Sequence, residues 1–476
     1  MTQHSLTAVH EFDVAIIGGG AAGVLVAIHL LSSSKIALRI AIIEPQSELG
    51  QGAAYSTVYP EHLLNVIASR MSALPSDPDH FVRFLAAQGK EQSADDDKTP
   101  LAHRFARRLD FGRYLRATLA AQPGAEQVQW LHEEAVDIER DAATSYTIRL
   151  RSGAAMHARS VVLAIGNFAR GIPLPATAIH GEPKIINAWD YPAIRGIGPE
   201  ADVCIIGSGL SMVDAVISLA STRHRGKITV LSRHGLMPLP HAMPGPQEGD
   251  VKDLLDLSIR QRLRALRALV TAGEENGEPW QWTMDRLRPH VQSMWTRLSR
   301  VEQRRFLRHA ARFWDIHRHR IAPSVAEQID ALRLSGQFEI CAGRLDAIAR
   351  GVDGTQVRFR PRNKSLDREI RADYVINSTG MESNIKRMKS SLVEALERRC
   401  IVAAGLHGIG IATDQLGAVV STDGEVSDNL HTLGALRVGQ LWESIAVPEL
   451  RDQARRIADA IRQLMEFPPP EHERRL

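Results

Sequence analysis

Two short glycine-rich stretches are the residues best suited to do chemistry in this chain. Gly18-Gly19-Gly20-Ala21-Ala22-Gly23 follows an apolar run, Asp13-Val14-Ala15-Ile16-Ile17, and precedes an apolar helical pattern over 24–31. The spacing Gly18-x-Gly20-x-x-Gly23 permits a tight turn at Gly18. It also lets the backbone at Gly20 come close to a diphosphate, and lets the helix pack on the strand at Gly23. The free N–H groups and positive end of that helix favour phosphate. A second apolar run, Arg39-Ile40-Ala41-Ile42-Ile43, ends at Glu44, where a carboxylate can accept both hydroxyls of an adenosine ribose. Ala21 and Ala22 complete the expected contact set.

The same order recurs in Asp202-Val203-Cys204-Ile205-Ile206, Gly207-Ser208-Gly209-Leu210-Ser211-Met212, a helical run to about Ser221, and the strand Lys227-Ile228-Thr229-Val230-Leu231. Met212 replaces the third glycine. No acid ends this second strand; Ser232 and Arg233 stand there, and a guanidinium suits a 2′-phosphate that a carboxylate would repel. This favours NADPH over NADH at the second loop, with NADH kept as a possibility. Two further apolar strands end in glycine, at Gly166 and at Gly380, and their placement after each unit reads as crossings between two domains.

Positioning these loops requires an α/β architecture with two Rossmann-like dinucleotide-binding domains. The expected division is 1–195 for the first part of one dinucleotide-binding domain, 196–345 for an NAD(P)H domain, and 346–476 for the second part of the first domain. Residues 88–100 read as an acidic surface loop, 101–121 as a helix, 126–150 as short strands with a turn near Gly153, and 170–200 as a linker. A helix is expected at 60–64. Residues 247–335 read as a helical insertion, broken near Gly273 to Pro279, at Pro289 and near Pro323. Its interspersed arginines and acids suit a solvated face.

Composition excludes several classes. The chain has 476 residues, with 58 Lys+Arg against 55 Asp+Glu. That balance gives no electrostatic reason to expect nucleic acid or an anionic membrane as a partner. Cys204, Cys341 and Cys400 form no Cys-x-x-Cys pair, which argues against dithiol redox chemistry and a cysteine zinc cluster. No His/Asp/Glu set has metal-ligand spacing, and no metal is expected. The absence of a secretory pattern or a long apolar run makes a cytoplasmic location the default expectation.

The sequence resembles the two-dinucleotide-binding flavoproteins, in particular the bacterial FAD-NAD(P)-binding family. The residues that carry the resemblance are Gly50-Gln51-Gly52-Ala53-Ala54-Tyr55-Ser56, Pro60 to Val66, Arg70-Met71-Ser72, Gly207 to Asp214, Ser232 to Leu236, Leu433 to Leu436, Leu441 to Ser444 and Val447 to Arg451. The family is related to flavin-dependent monooxygenases, including N-hydroxylases, with a urate hydroxylase nearby. The resemblance implies FAD as cofactor and NADPH as reductant. It also implies dioxygen and a small polar substrate, either a purine or an amine, hydroxylated through an oxygen adduct at the flavin C4a atom. The alternative is a flavin dehydrogenase passing electrons to a quinone or a protein. Tyr55, Arg70, Met71, Gly434 and Leu436 join the expected cofactor contacts. A helix N-terminus near Gly434 would favour an anionic reduced flavin. Asn65 and His241 are the expected catalytic residues. Asn65 suits a flavin edge, a nicotinamide or a substrate group, or equally an Asx turn. Oligomeric state is left open.

Overall fold

The computed structural model describes residues 10–32, 36–89, 99–141, 145–246, 251–362, 364 and 366–467. Two eight-stranded sheets organise the chain. The first contains β1 (His10–Ile17), β2 (Ile40–Ile43), β3 (Val128–Leu131), β4 (Ala135–Arg140), β5 (Tyr146–Leu150) and β6 (Ala155–Leu163). A short β7 (Phe168–Ala169) then leaves it. The second contains β8 (Ile179–His180), β9 (Ile185–Asn187), β10 (Val203–Ile206), β11 (Ile228–Ser232), β12 (Phe338–Gly351), β13 (Gly354–Pro361), β14 (Arg368–Ala372) and β15 (Tyr374–Asn377). The chain returns through β16 (Met381–Glu382) to β17 (Ala418–Val420) and β18 (Val426–Thr432), which complete the first sheet.

Both sheets are built around parallel strands. The order β18-β6-β1-β2-β3 is parallel throughout, as is β12-β11-β10-β15-β9. Strands buried on both faces must be apolar along their whole length. Val14, Ala15 and Ile16 are fully buried, and Cys204 and Ile205 occupy the same position in the second sheet. Helix Ala21–Ser32 packs on the first sheet beside helix Val447–Glu466, and helix Leu210–Ser221 packs on the second.

Several sequence expectations shift. Strands β12 to β15 all lie in the second sheet, so the chain leaves that sheet after Asn377 rather than at 345/346. The expected linker 170–200 supplies β8 and β9 to the same sheet, so entry precedes 195/196. Antiparallel pairing of β7 with β16 sets the two crossings side by side.

The helix expected over 101–121 begins only at Arg108 and ends at Ala120. Residues 104–107 are held extended because Leu64 N–H bonds Ala106 O and Ala68 N–H bonds Arg104 O. The same pairing removes the helix expected at 60–64, where Leu63 bridges Arg107. Most of the acidic stretch within 88–100 lies outside the described residues. The insertion is helical as read, with helices Ile259–Glu275, Trp280–Leu287, Val291–Thr296, Arg300–His309 and Ala311–Arg318. Helix Pro323–Leu334 instead packs on the second sheet, with Ile329 fully buried in that core. No helix among the described residues is long and apolar enough to cross a membrane.

Candidate active site

The first loop has the shape its glycines require. Gly18 sits at φ +102°, where an added Cβ would lie 2.2 Å from the Ala164 carbonyl oxygen; at Gly23 it would lie 1.9 Å from that of Gly18. These glycines serve packing. Gly20 differs, because a Cβ there would meet only Gly52, 3.4 Å away, so the two backbones face each other across a groove. Glu44 is fixed at the groove's edge: its Oε2 accepts the Gly19 N–H at 2.7 Å and its Oε1 accepts the Gln46 N–H at 3.0 Å. Glycine backbone, a first helical turn beginning at Ala21 and Ala22, and an anchored carboxylate fit the diphosphate and ribose of a dinucleotide. Gly166, at φ +71°, has open space where a side chain would be. Tyr55 lies beside the groove in the short helix Gly52–Tyr55, its ring 4.9 Å from Phe111, and burial pushes its phenol up to about 12.

Three expected cofactor contacts are otherwise engaged. Met71 and Leu436 are each 2% exposed and belong to the two cores of the first domain, leaving no side-chain surface for a ligand. Gly434 donates its N–H to Gln453 Oε1 at 3.2 Å and accepts from Ser444 Oγ at 2.7 Å. Its backbone groups are satisfied by the chain.

The second loop repeats the first. Gly207, at φ +105°, would place a Cβ 2.2 Å from the Ser378 carbonyl oxygen, while Gly209 has nothing within 4 Å. Met212 is fully buried in the second core, so the missing glycine is replaced by packing rather than by ligand space. Leu210 opens the helix and packs partly on that core, Ser211 lies in its first turn, and Gly380, at φ +88°, faces open space. Ser232 Oγ accepts the Gly235 N–H at 3.1 Å and shapes the turn that carries exposed Arg233. Two further cations converge there. Arg362 Nη1 lies 3.1 Å from His234 Nδ1. Arg312, from the helical insertion, donates to Ser208 O at 3.0 Å and to Ser208 Oγ at 3.1 Å. Burial, then Arg362, Arg233 and Arg312 in turn, hold His234 below its ordinary value. The end of β11 is thus a cationic corner suited to a phosphate.

Asn65 and His241 are brought together. His241 Nε2 donates to the Asn65 carbonyl at 3.1 Å, with its ring 5.0 Å from that of Phe105. Burial, and secondarily Arg320, push the imidazole down to about 3. A base that weak takes no proton at neutral pH. In this structure His241 holds the Asn65 backbone in place. The Asn65 side-chain amide makes no hydrogen bond with the described residues.

The insertion closes over this region through charged and aromatic side chains. Arg260, Arg264 and Arg267 are exposed, as a solvated face requires, whereas Arg318 and Arg320 are buried. Arg288 grips Glu449 through two 3.0 Å hydrogen bonds, Arg318 lies 2.8 Å from Glu443, and Arg320 pairs with Asp285. Trp442 has φ 63° and ψ −62°, and Glu443 N–H bonds Leu441 O at 2.8 Å across it. This is a γ-turn of the rare positive-φ kind, costing roughly 1–3 kcal/mol. It stacks Trp442 on Trp295 at 5.2 Å and aims Glu443 at Arg318 and at Trp314, whose Nε1 donates at 3.0 Å. Nothing in the local sequence marks that strain. The described residues hold no group of three potential metal ligands.

Residues 15–168 match the family described as FAD-NAD(P)-binding. No curated protein matches the chain by sequence. Solved structures share its fold. An ornithine N-hydroxylase from Kutzneria sp. 744 superposes with TM-score 0.64 at 14% identity, over 96% of this chain and 100% of the other. L-lysine 6-monooxygenase from Pseudomonas syringae gives 0.62 at 16%, over 95% and 99%. The cadaverine monooxygenase of desferrioxamine biosynthesis from Erwinia amylovora, bound to FAD, gives 0.65 at 12%, over 95% and 94%. The chain therefore has the two-dinucleotide-binding flavoprotein fold, and its residues 15–168 are similar to the FAD-NAD(P)-binding family.

Proposed function

We propose that this protein is an FAD- and NADPH-dependent monooxygenase that hydroxylates an amine. The observation that carries the reading is the pair of unobstructed glycine grooves, each ending beside an open glycine, with a helical insertion tied to the second loop through Arg312 and to the C-terminal helix through Arg288. FAD belongs to the first groove and NADPH to the second. Bound flavin supplies the two-electron and oxygen chemistry. The chain's own part is to hold both nucleotides, to offer the free Asn65 amide at the junction, and to keep bulk water out with the insertion. The amine substrates of the three structural relatives favour an amine over the purine alternative.

The test is an NADPH-dependent assay with primary amines that follows oxygen uptake and hydroxylamine product together. Coupled product formation supports the reading. Hydrogen peroxide as the sole product, or rapid transfer to quinones without oxygenation, contradicts it. The cationic corner adds a second expectation. Arg233→Ala combined with Arg362→Ala is expected to raise the KM for NADPH by about tenfold or more, since each tenfold is about 1.4 kcal/mol. The KM for NADH should hardly change. Equal losses with both cofactors would place the 2′-phosphate elsewhere.

A further inference from the structure

The end of β11 has an apolar side as well as a cationic one. Phe313 is 50% exposed and belongs to none of the buried cores. Single exposed apolar side chains are ordinary on a protein surface, so position decides what this one can do. Its ring lies 6.4 Å from that of His234. His234 follows Arg233 in the chain, and its Nδ1 is 3.1 Å from Arg362 Nη1. An exposed aromatic face thus stands beside the guanidinium groups suited to the 2′-phosphate.

Phe313 comes from the insertion, and its neighbours in helix Ala311–Arg318 fix where it sits. Trp314 turns inward and packs on the insertion's own cores. Arg312 turns the other way, onto the second glycine loop. Its Nη2 donates to Ser208 O at 3.0 Å, to Ser208 Oγ at 3.1 Å and to the Leu236 carbonyl. The first turn of this helix is therefore pinned to both segments that border the second groove, 207–212 and 232–236. In an adenosine 2′-phosphate the base is bonded to C1′ and the phosphate to C2′, which are adjacent atoms. Guanidinium groups that take the phosphate put the base next to themselves. A purine has two flat faces, and aromatic side chains cover such faces well.

We propose that Phe313 is the platform on which the adenine of NADPH stacks, so that the helical insertion forms one wall of the nucleotide site. This rests on the assignment of NADPH to the second loop, and not on what the flavin later does to a substrate. The probe is 2′,5′-ADP, the adenosine end of NADPH without its nicotinamide. It is titrated by calorimetry into the oxidised, FAD-loaded protein. Phe313→Ala and Phe313→Leu are each expected to weaken binding by about tenfold, and Phe313→Trp to keep it within about threefold. All three should retain flavin. In the parent, 2′,5′-ADP should slow backbone hydrogen exchange in helix Ala311–Arg318, and Phe313→Leu should lose that protection.

Tight binding of 2′,5′-ADP that is indifferent to Phe313 overturns the inference and leaves the NADPH assignment standing. Protection confined to the second loop and helix Leu210–Ser221 overturns it as well. Should Phe313→Ala fail to fold, Phe313→Leu decides, since it keeps an apolar side chain and removes only the ring. No binding by the parent overturns the inference together with the NADPH assignment. Phe313-dependent binding without any hydroxylated product supports the adenine platform and removes the hydroxylase reading.

Discussion

Gly20→Val is expected to give a folded but colourless protein. A Cβ at Gly20 meets only Gly52, 3.4 Å away, so the fold has room for it, but the added side chain fills the groove in which the diphosphate lies. FAD affinity should fall at least a hundredfold, about 2.7 kcal/mol, as read by flavin retained after dialysis. Gly209→Val is the matched variant, with nothing within 4 Å of its added Cβ. It should keep its flavin and its colour, yet lose NADPH-driven flavin reduction. Retention of full flavin by Gly20→Val, or loss of flavin from Gly209→Val, would reverse the assignment of the two loops. Gly18 and Gly207 are less suitable sites for this test, because an added Cβ 2.2 Å from a carbonyl oxygen damages the fold itself.

Asp214→Ala is expected to be the most destabilising single substitution at the domain seam. Asp214, in helix Leu210–Ser221, meets Arg108, in helix Arg108–Ala120 of the first domain, at 2.6 Å. Their side chains are 10% and 14% exposed. Arg108 also donates to the Leu63 carbonyl at 2.9 Å, and His62 Nε2 bonds the Asp214 carbonyl at 3.0 Å. Burial opposes the charge on Arg108, and Asp214 more than compensates, so its pKa lies above the ordinary value. Removing the carboxylate strands a buried cation, at a cost of about 3–5 kcal/mol. Urea unfolding and proteolysis at the seam should both show it. The double variant Arg108→Met with Asp214→Leu removes both charges and should recover much of the loss. A single variant as stable as the parent would mean that the seam is wet and the pair contributes little.

What was legible beforehand was local. β1, its glycine loop, the helix Ala21–Ser32 and β2 ending at Glu44 are contiguous, and their periodicity and glycine spacing state the geometry directly. The second unit was less plain, because Met212 breaks the glycine spacing and no acid ends its second strand; the structure accounts for Met212 as core. The arginines of the insertion were only half legible. Arg260 and Arg264 are solvated, but Arg288, Arg318 and Arg320 are pairing residues, and mixed sign along a helix does not distinguish the two. Arg312 and Arg362 reach the second loop from distant segments, and Glu449 reaches Arg288 across 161 residues. Such convergence is set by tertiary packing, for which a single sequence carries no spacing signal. The lowered proton affinity of His241 is hidden from the sequence for the same reason: burial by several segments, not its neighbours along the chain, causes it.

The central claim is that the opening strand–loop–helix holds the flavin nucleotide. A crystal structure of the protein as purified, with its native nucleotide, tests it most directly. The expected result is FAD with its diphosphate against Gly18 to Gly23 and its adenosine ribose on the Glu44 carboxylate. A flavin seated on Gly207 to Met212 instead, or a first groove closed to any nucleotide, would contradict it.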